Sequence, residues 1–510
     1  MSTHHLRPNT ERDLRPDAHR HRRPGGAVDS FFDVTERGST IGREVRGGFT
    51  TFFAMSYIVV LNPLIIGTVV DRDGSFIAGG DDVGESTIAV AGVTALTAGV
   101  LTILMGLVGR YPFALAVGLG LNSFVAVGVA SQMSWPEAMG LVVIEGVLVI
   151  LLVLTKIRTA VLHAIPGDLK TAISVGIGLF IAFIGFVDSG VVRRIPDEAG
   201  TTVPVTFGIG GELQGWPTLV FVVGLAVTAI LVIRQVRGAI IIGILSATVV
   251  AIVVETLFHP GPAIVDGQPS PTGWRLNVPQ VPTDWFALPD LQLLGNFDLV
   301  GGFTRIGALA AVMIVFALML SDFFDTMGTV VGLSSQAGLL DKQGHVPGVG
   351  RVLFVDSLAA AAGGAASSSS NTTYIESSAG IGEGARTGVA SLLTGVLFLA
   401  AMFFTPLVTV IPFEAATPAL VVVGLAMVSQ IRRIDFTDVA VVIPALLTAV
   451  LMPFTYSISV GIGAGLISYV VFRAFQGRAR EIHPLLWIVS ALFLLYFAVH
   501  PLRELFGISG

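Results

Sequence analysis

Apolar runs of about 20 residues, nearly free of charge, recur along most of this chain, and that is the length an α-helix needs to cross a bilayer's hydrocarbon core. Hydrocarbon offers no hydrogen bonds to an exposed backbone, so such runs can cross only as helices. The composition agrees, with 53% of 510 residues hydrophobic and 13% charged. The expected class is an all-α polytopic membrane protein. The net charge of −6 sits in loops and a terminal tail, so it reports orientation, and no nucleic-acid partner is expected. With no cysteine there is no disulfide, thiol nucleophile or thiolate metal site. His163, His259, His345, His483 and His500 stand singly beside apolar segments and the other histidines fall in the tail, so no spacing suits a metal. No metal or organic cofactor is expected.

The apolar segments fall at approximately 46–68, 86–109, 112–131, 137–157, 165–187, 217–234, 238–258, 303–331, 351–370, 374–385, 386–409, 415–431, 438–455 and 457–475, about fourteen in all. A shorter stretch, Leu485 to Val499, either lies along the interface or packs on the bundle. Residues 1–30 are rich in Arg, His and Pro and read as a disordered cytoplasmic tail, without the apolar stretch of a secretory signal. Lys and Arg should gather in alternate, cytoplasmic loops. They do so at Arg110; at Lys156, Arg158 and Lys170; at Arg234 and Arg237; at Lys342 and Arg351; at Arg386; at Arg432 and Arg433; and at Arg473, Arg478 and Arg480. The intervening loops are poor in them, apart from Arg193 and Arg194 in 188–216. The alternation fits an even number of spans and a cytoplasmic N-terminus.

Two segments are too broken or too polar to face lipid. Tyr111 to Ala130 reads YPFALAVGLGLNSFVAVGVA, and Ser367 to Gly384 reads SSSSNTTYIESSAGIGEG. Backbone of this kind at membrane depth must be buried in protein or line a cavity. Asn122 and Glu376 lie 254 residues apart (376 − 122), and the same shift carries 46–68 to 300–322 and 165–187 to 419–441, close to other segments. The chain therefore reads as two halves of seven segments, each with an interrupted third. An odd number per half reverses topology, so the pattern predicts an inverted repeat, with a site near the midplane where short half-helices meet.

Few ionisable groups occupy the apolar regions. Asp322 and Asp325 stand in LMLSDFFDTMGTVVG and Glu376 in NTTYIESSAG. A charge at the bilayer centre costs roughly 2.5–3.5 kcal/mol, so each needs water, a partner or a proton. The aspartates, three apart, share a helical face and form either a polar stripe or the acids of a helix end. Glu376 is flanked by the hydroxyls of Thr372, Thr373, Ser377 and Ser378, and Tyr374 offers a stacking face. A carboxylate accepts from ring N–H and amine donors, and Asn122 both donates and accepts, which suits a heterocycle with mixed edges. The alternative is a re-entrant loop with structural hydrogen bonds only. Glu145 reads as a structural acid paired within its own half or as a transport acid, and Glu255 and Glu414 read as interfacial. The small-residue run Leu358 to Ser370 points to close helix packing. No nucleophile–base arrangement or H-E-x-x-H motif supports an enzyme.

Four blocks carry a resemblance: FFDVTERGSTIGREVRGGFTTFFAMSYIVVLNP at 31–63, GLGLNSF at 118–124, SDFFDTMGT at 321–329 and SSNTTYIESSAGIGEGARTG at 369–388. Together they resemble the nucleobase:cation symporter-2 family, specifically its AzgA-like hypoxanthine, adenine and guanine transporters, from about Phe31 to Pro484. The resemblance implies fourteen segments in two inverted repeats of seven, with short strands in the interrupted segments 3 and 10. It implies a core domain from 46–157 and 303–409 and a gate domain from 165–258 and 415–475; the C-terminal apolar segment and tail over 476–510, like the Arg-rich tail and the long 259–302 loop, are not required by the family pattern. It further implies that Asn122, Asp322 and Glu376 contact a purine, that Asp325 is a neighbouring acid needed for activity, and that Thr373 and Tyr374 border the pocket. A multi-pass protein of the cell membrane, surrounded by lipid and dimeric through its gate domain, is expected.

The expected activity is import of hypoxanthine, guanine or adenine by proton symport, the core sliding against the gate as an elevator. Occlusion of a carboxylate favours its protonation, so Glu376, or the coupled pair Asp322 and Asp325, is the expected proton carrier. An anion transporter of the same inverted-repeat fold and a passive channel are the competing readings.

Overall fold

The computed structural model describes residues 26–155, 165–194, 205–265, 268–282, 284–341 and 346–505. Lys156, Arg158, His163, Lys342, His345 and the tail before Gly26 lie outside the described residues. The apolar stretches become α1 (Ile41–Met55), α2 (Ile58–Ile66), α3 (Val83–Leu104), α4 (Leu119–Ser123), α5 (Trp135–Leu154), α6 (Gly167–Asp188), α7 (Trp216–Ile233) and α8 (Ala239–Phe258). The second half continues with α9 (Ala308–Gln336), α10 (Val349–Ala365), α11 (Ser377–Gly382), α12 (Gly388–Ala401), α13 (Phe413–Val428), α14 (Val439–Thr455), α15 (Ile458–Phe475) and α16 (Pro484–Leu505). Among the described residues, nine helical stretches are long and apolar enough to cross a membrane. Helix starts are set locally: Asp82 accepts from the Gly84 and Glu85 amides, and Ser134 with Glu137 forms a capping box.

Three boundaries differ from expectation. The first segment breaks between α1 and α2, where the Val59 and Val60 amides bond three residues back, to Ser56 and Tyr57, and tighten the turn. The segment expected from 303 is divided by Gly307, whose φ of 84° ends one helical turn before α9 begins. The described end of the stretch expected as a tail over 1–30 is helical, at Ala27–Phe32. Asp29 accepts from the Thr35 amide at 2.7 Å, and the Phe31 ring meets the Arg110 guanidinium at 4.2 Å.

The two broken segments meet. Strand Leu115–Val117 pairs antiparallel with strand Asn371–Thr373, in the register Leu115 to Thr373, Ala116 to Thr372 and Val117 to Asn371. Gly118 N–H to Ser370 C=O (3.0 Å) and Tyr374 N–H to Ala114 C=O (2.9 Å) extend the crossing, and each strand runs on towards a short helix, α4 or α11. The register maps onto itself when the strands exchange places.

Glycines let the halves approach. A Cβ on Gly178 of α6 would lie 2.6 Å from the Gly424 carbonyl oxygen of α13, and one on Gly424 would lie 2.4 Å from that of Gly178. In lipid, where apolar surface gains little by association, backbone proximity of this kind is what holds helices together. Gly424→Leu should therefore cut the yield of monodisperse protein several-fold, while Gly350→Ala, which meets nothing, should not. Size-exclusion chromatography of both variants in detergent tests this, and equal profiles would refute it. The small-residue run packs as expected, since a Cβ on Gly364 would reach within 2.8 Å of the Val143 amide nitrogen in α5. The C-terminal α16 packs on the bundle: Phe493 is wholly buried, 6.1 Å from Phe316 in ring centroids.

Loops assigned to one side by charge meet at one end. Arg37 donates to the carbonyls of Arg110 (2.7 Å) and Arg386 (3.2 Å), and Arg237 pairs with Glu383. At the other end the loop over 259–302 folds back on the helix termini. The Arg275 guanidinium donates to the Val187 carbonyl, and the Trp274 indole donates to Glu255 at 2.7 Å. Glu414, expected at the interface, is instead buried beneath this loop and accepts from the Arg275 amide at 3.2 Å.

Candidate functional site

Beside the crossing strands lies a recess with about 720 Å³ of empty space, the open solvent at its mouth included. Tyr57, Tyr374, Glu376, Asp325, Thr329, Thr372 and Thr373 form its polar wall, with the backbone of residues 118–121. Ile177 and Ile181 of α6 and Val423 and Met427 of α13 form an apolar wall opposite, where Ser174 is the one polar contributor among the described lining residues.

Each polar group is held by its local chain. Glu376 stands at the start of α11, and the Tyr57 phenol, placed by the break between α1 and α2, donates to its Oε1. Of the hydroxyls expected to surround Glu376, those of Ser377, Thr372 and Thr373 serve the crossing and its supports. Ser377 Oγ accepts from the Ala114 amide (3.0 Å), and Tyr374 Oη donates to the Val117 carbonyl (2.5 Å). Thr373 donates through both its amide (2.9 Å) and its hydroxyl (2.7 Å) to Asp356 Oδ1, while Asp356 Oδ2 accepts from Thr326 Oγ1 at 2.7 Å. Asp356, 2% exposed, thus ties α9, α10 and the second strand together.

The structure divides the expected site residues. Glu376, Asp325, Tyr374 and Thr373 line the recess, whereas Asn122 and Asp322 are fully buried and do not. Neither aspartate is at a helix end, since both lie inside α9. The polar stripe on α9 runs through Ser321, Asp325 and Thr329, spaced by four residues rather than three, which follows the helix period more closely. Asn122 donates to Asn62 Oδ1 at 2.6 Å, and Asn62 donates on to Thr94 Oγ1 (2.7 Å) and the Ser368 carbonyl (3.1 Å), a buried amide relay between the halves. Glu145 is also wholly buried, but its contact is Ser370 of the other half at 3.4 Å, not a helix of its own half. Sequence reasoning missed Tyr57, Asn62 and Asp356. A lone acid in an apolar helix was the signal for Asp356, as it was for Asp322.

A bundle of spanning helices whose two broken segments cross beside a polar recess defines a membrane permease. Residues 42–464 match the model of the Permease family, and the chain belongs to it, among the nucleobase:cation symporter-2 permeases. These are transporters and not enzymes. The chain is 36% identical over 472 residues to the guanine/hypoxanthine permease PbuG of Bacillus subtilis, covering 92% of this chain and 99% of that one. It is 35% identical to the adenine permease AdeP of Escherichia coli, covering 92% and 96%. The fold is shared with the transmembrane domain of the cyanobacterial bicarbonate transporter BicA, with TM-score 0.53, 14% identity and coverage of 83% and 98%. It is also shared with murine Slc26a9 in its inward-facing state, with TM-score 0.58, 11% identity and coverage of 92% and 77%.

Proposed function

We propose that this permease imports purine nucleobases, taking hypoxanthine, guanine or adenine into the recess and carrying a proton with each. The carrying observation is the carboxylate of Glu376, held through Oε1 by Tyr57 at the edge of the recess. Its other oxygen suits a purine N–H, Asp325 and the Thr329 hydroxyl suit further edges, and the apolar wall suits the ring faces. The names of the bacterial relatives support the substrate class. Fourteen segments in two inverted repeats remain our reading, supported by the symmetric register of the crossing strands, which a shift of 256 residues (371 − 115) superposes. In it the core carrying the strands slides against a gate that includes α6 and α13, within the cell membrane and with the N-terminus cytoplasmic. A dimer through the gate is part of the same reading, supported by the exposed apolar faces of α7 and α8.

An anion transporter is disfavoured by the lining, which holds two carboxylates and, among the described residues, no Lys or Arg. Uptake of labelled hypoxanthine into proteoliposomes under an imposed proton gradient is the test. Accumulation above equilibrium, lost when a protonophore is added and competed by adenine or guanine, is the expected result. Equilibration without accumulation would establish a channel, and competition by bicarbonate would establish an anion carrier.

A further inference from the structure

We infer that the loop segment 285–288 is a lipid anchor, seated among the acyl chains of the leaflet on its side of the membrane, beside the second half of the span Gly388–Val410. In it Trp285 is 55% exposed, Phe286 67% and Leu288 85%, with Val281 nearby in sequence at 68%. Three large apolar side chains this close together are uncovered by the rest of the chain. They are nonetheless fixed in place. The Ala287 amide donates to the Phe403 carbonyl at 3.0 Å, and the rings of Phe286 and Phe404 lie 4.6 Å apart in centroids.

Continuity with the span identifies the occupant. Val396, Phe403 and Phe404 are themselves 53%, 44% and 42% exposed along Gly388–Val410, on a helix that hydrocarbon must surround. From Val396 to Phe403 the axis rises roughly 10 Å, so the loop widens an outward apolar strip that runs from mid-span into the second half of the span. Asp284 is exposed and Asp290 half-buried, and they flank the segment as a boundary with water would require. A tryptophan between the two is the side chain favoured at such a level, with an apolar body and one N–H. A second protein copy would also cover apolar groups, but this surface continues the outward apolar face of a helix long and apolar enough to span the membrane.

The natural absence of cysteine makes the test direct. Leu288→Cys and, as an aqueous reference at the same end of the bundle, Asp81→Cys would each be spin-labelled in the full-length protein and reconstituted into phosphatidylcholine vesicles. Both sites are exposed, so the fold should tolerate the change. The expected result is that collisions with oxygen exceed those with a water-soluble nickel chelate about tenfold at 288, and that the order reverses at 81. A label at 288 that meets the nickel chelate as freely as the one at 81 would overturn the inference. So would spin–spin broadening between labelled copies, which would mean that a second chain covers the patch.

Discussion

Glu376→Gln should abolish accumulation of purine against its gradient and weaken purine binding by roughly tenfold to a hundredfold. That range corresponds to the 1.5–3 kcal/mol of a hydrogen bond to a charged group. The glutamine carbonyl still accepts from Tyr57, so the start of α11 should keep its place. What changes is chemistry on the recess side: an amide cannot take up a proton, and its N–H₂ turns an acceptor into a donor. Equilibrium binding of labelled hypoxanthine, together with the accumulation ratio in proteoliposomes, separates the two losses. Accumulation that stayed pH-dependent in the variant would remove Glu376 from the coupling step.

The second large effect is expected at Asp356. Its carboxylate receives the Thr373 amide, the Thr373 hydroxyl and the Thr326 hydroxyl, all inside the bundle. Asp356→Ala leaves these donors unmet at about 1–3 kcal/mol each. The strand Asn371–Thr373 should loosen, uptake should fall at least about a hundredfold, and the detergent-solubilised protein should melt well below the parent. Asp356→Asn is the informative companion. Its carbonyl can serve Thr373 while its amide donates to Thr326 Oγ1, whose own proton can turn to Thr372, 2.7 Å away. The asparagine variant should keep the melting temperature. An alanine variant as stable as the parent would show that this acid does not hold the crossing.

The broken segments were legible in the sequence because polar, glycine-rich backbone has no place against lipid, and that alone located the recess. Glu376 and Tyr374 followed from the same segment. The division of labour between Asp322 and Asp325 was not legible, because a spacing of three leaves two side chains about 60° apart on a helix, and only the neighbouring elements decide which faces inward. Tyr57 gave no signal, as a tyrosine inside AMSYIVVLNP is unremarkable until the helix breaks beneath it. Asp356 did carry a signal, but it lies five residues beyond Arg351 and reads as part of a charged helix entry. Asn122 was expected to touch substrate because amides suit mixed edges. It lies buried beyond the lining of the recess and donates to Asn62, a pairing that the apolar setting of Asn62 hides in the sequence.

The pairing of Leu115–Val117 with Asn371–Thr373 also bears on how the protein is made. When the earlier strand leaves the ribosome, its mate is 256 residues (371 − 115) away, roughly 13–50 s of synthesis at 5–20 residues per second. Leu115 can bond Thr102 of its own half through both its amide and its carbonyl, but during that interval the Gly118 amide and the Ala114 carbonyl lack the partners they have in the finished fold, Ser370 and Tyr374, and cannot rest in hydrocarbon. The nascent first half must therefore wait in a hydrated or chaperoned setting until the second arrives, which makes biogenesis sensitive to translation rate between the two.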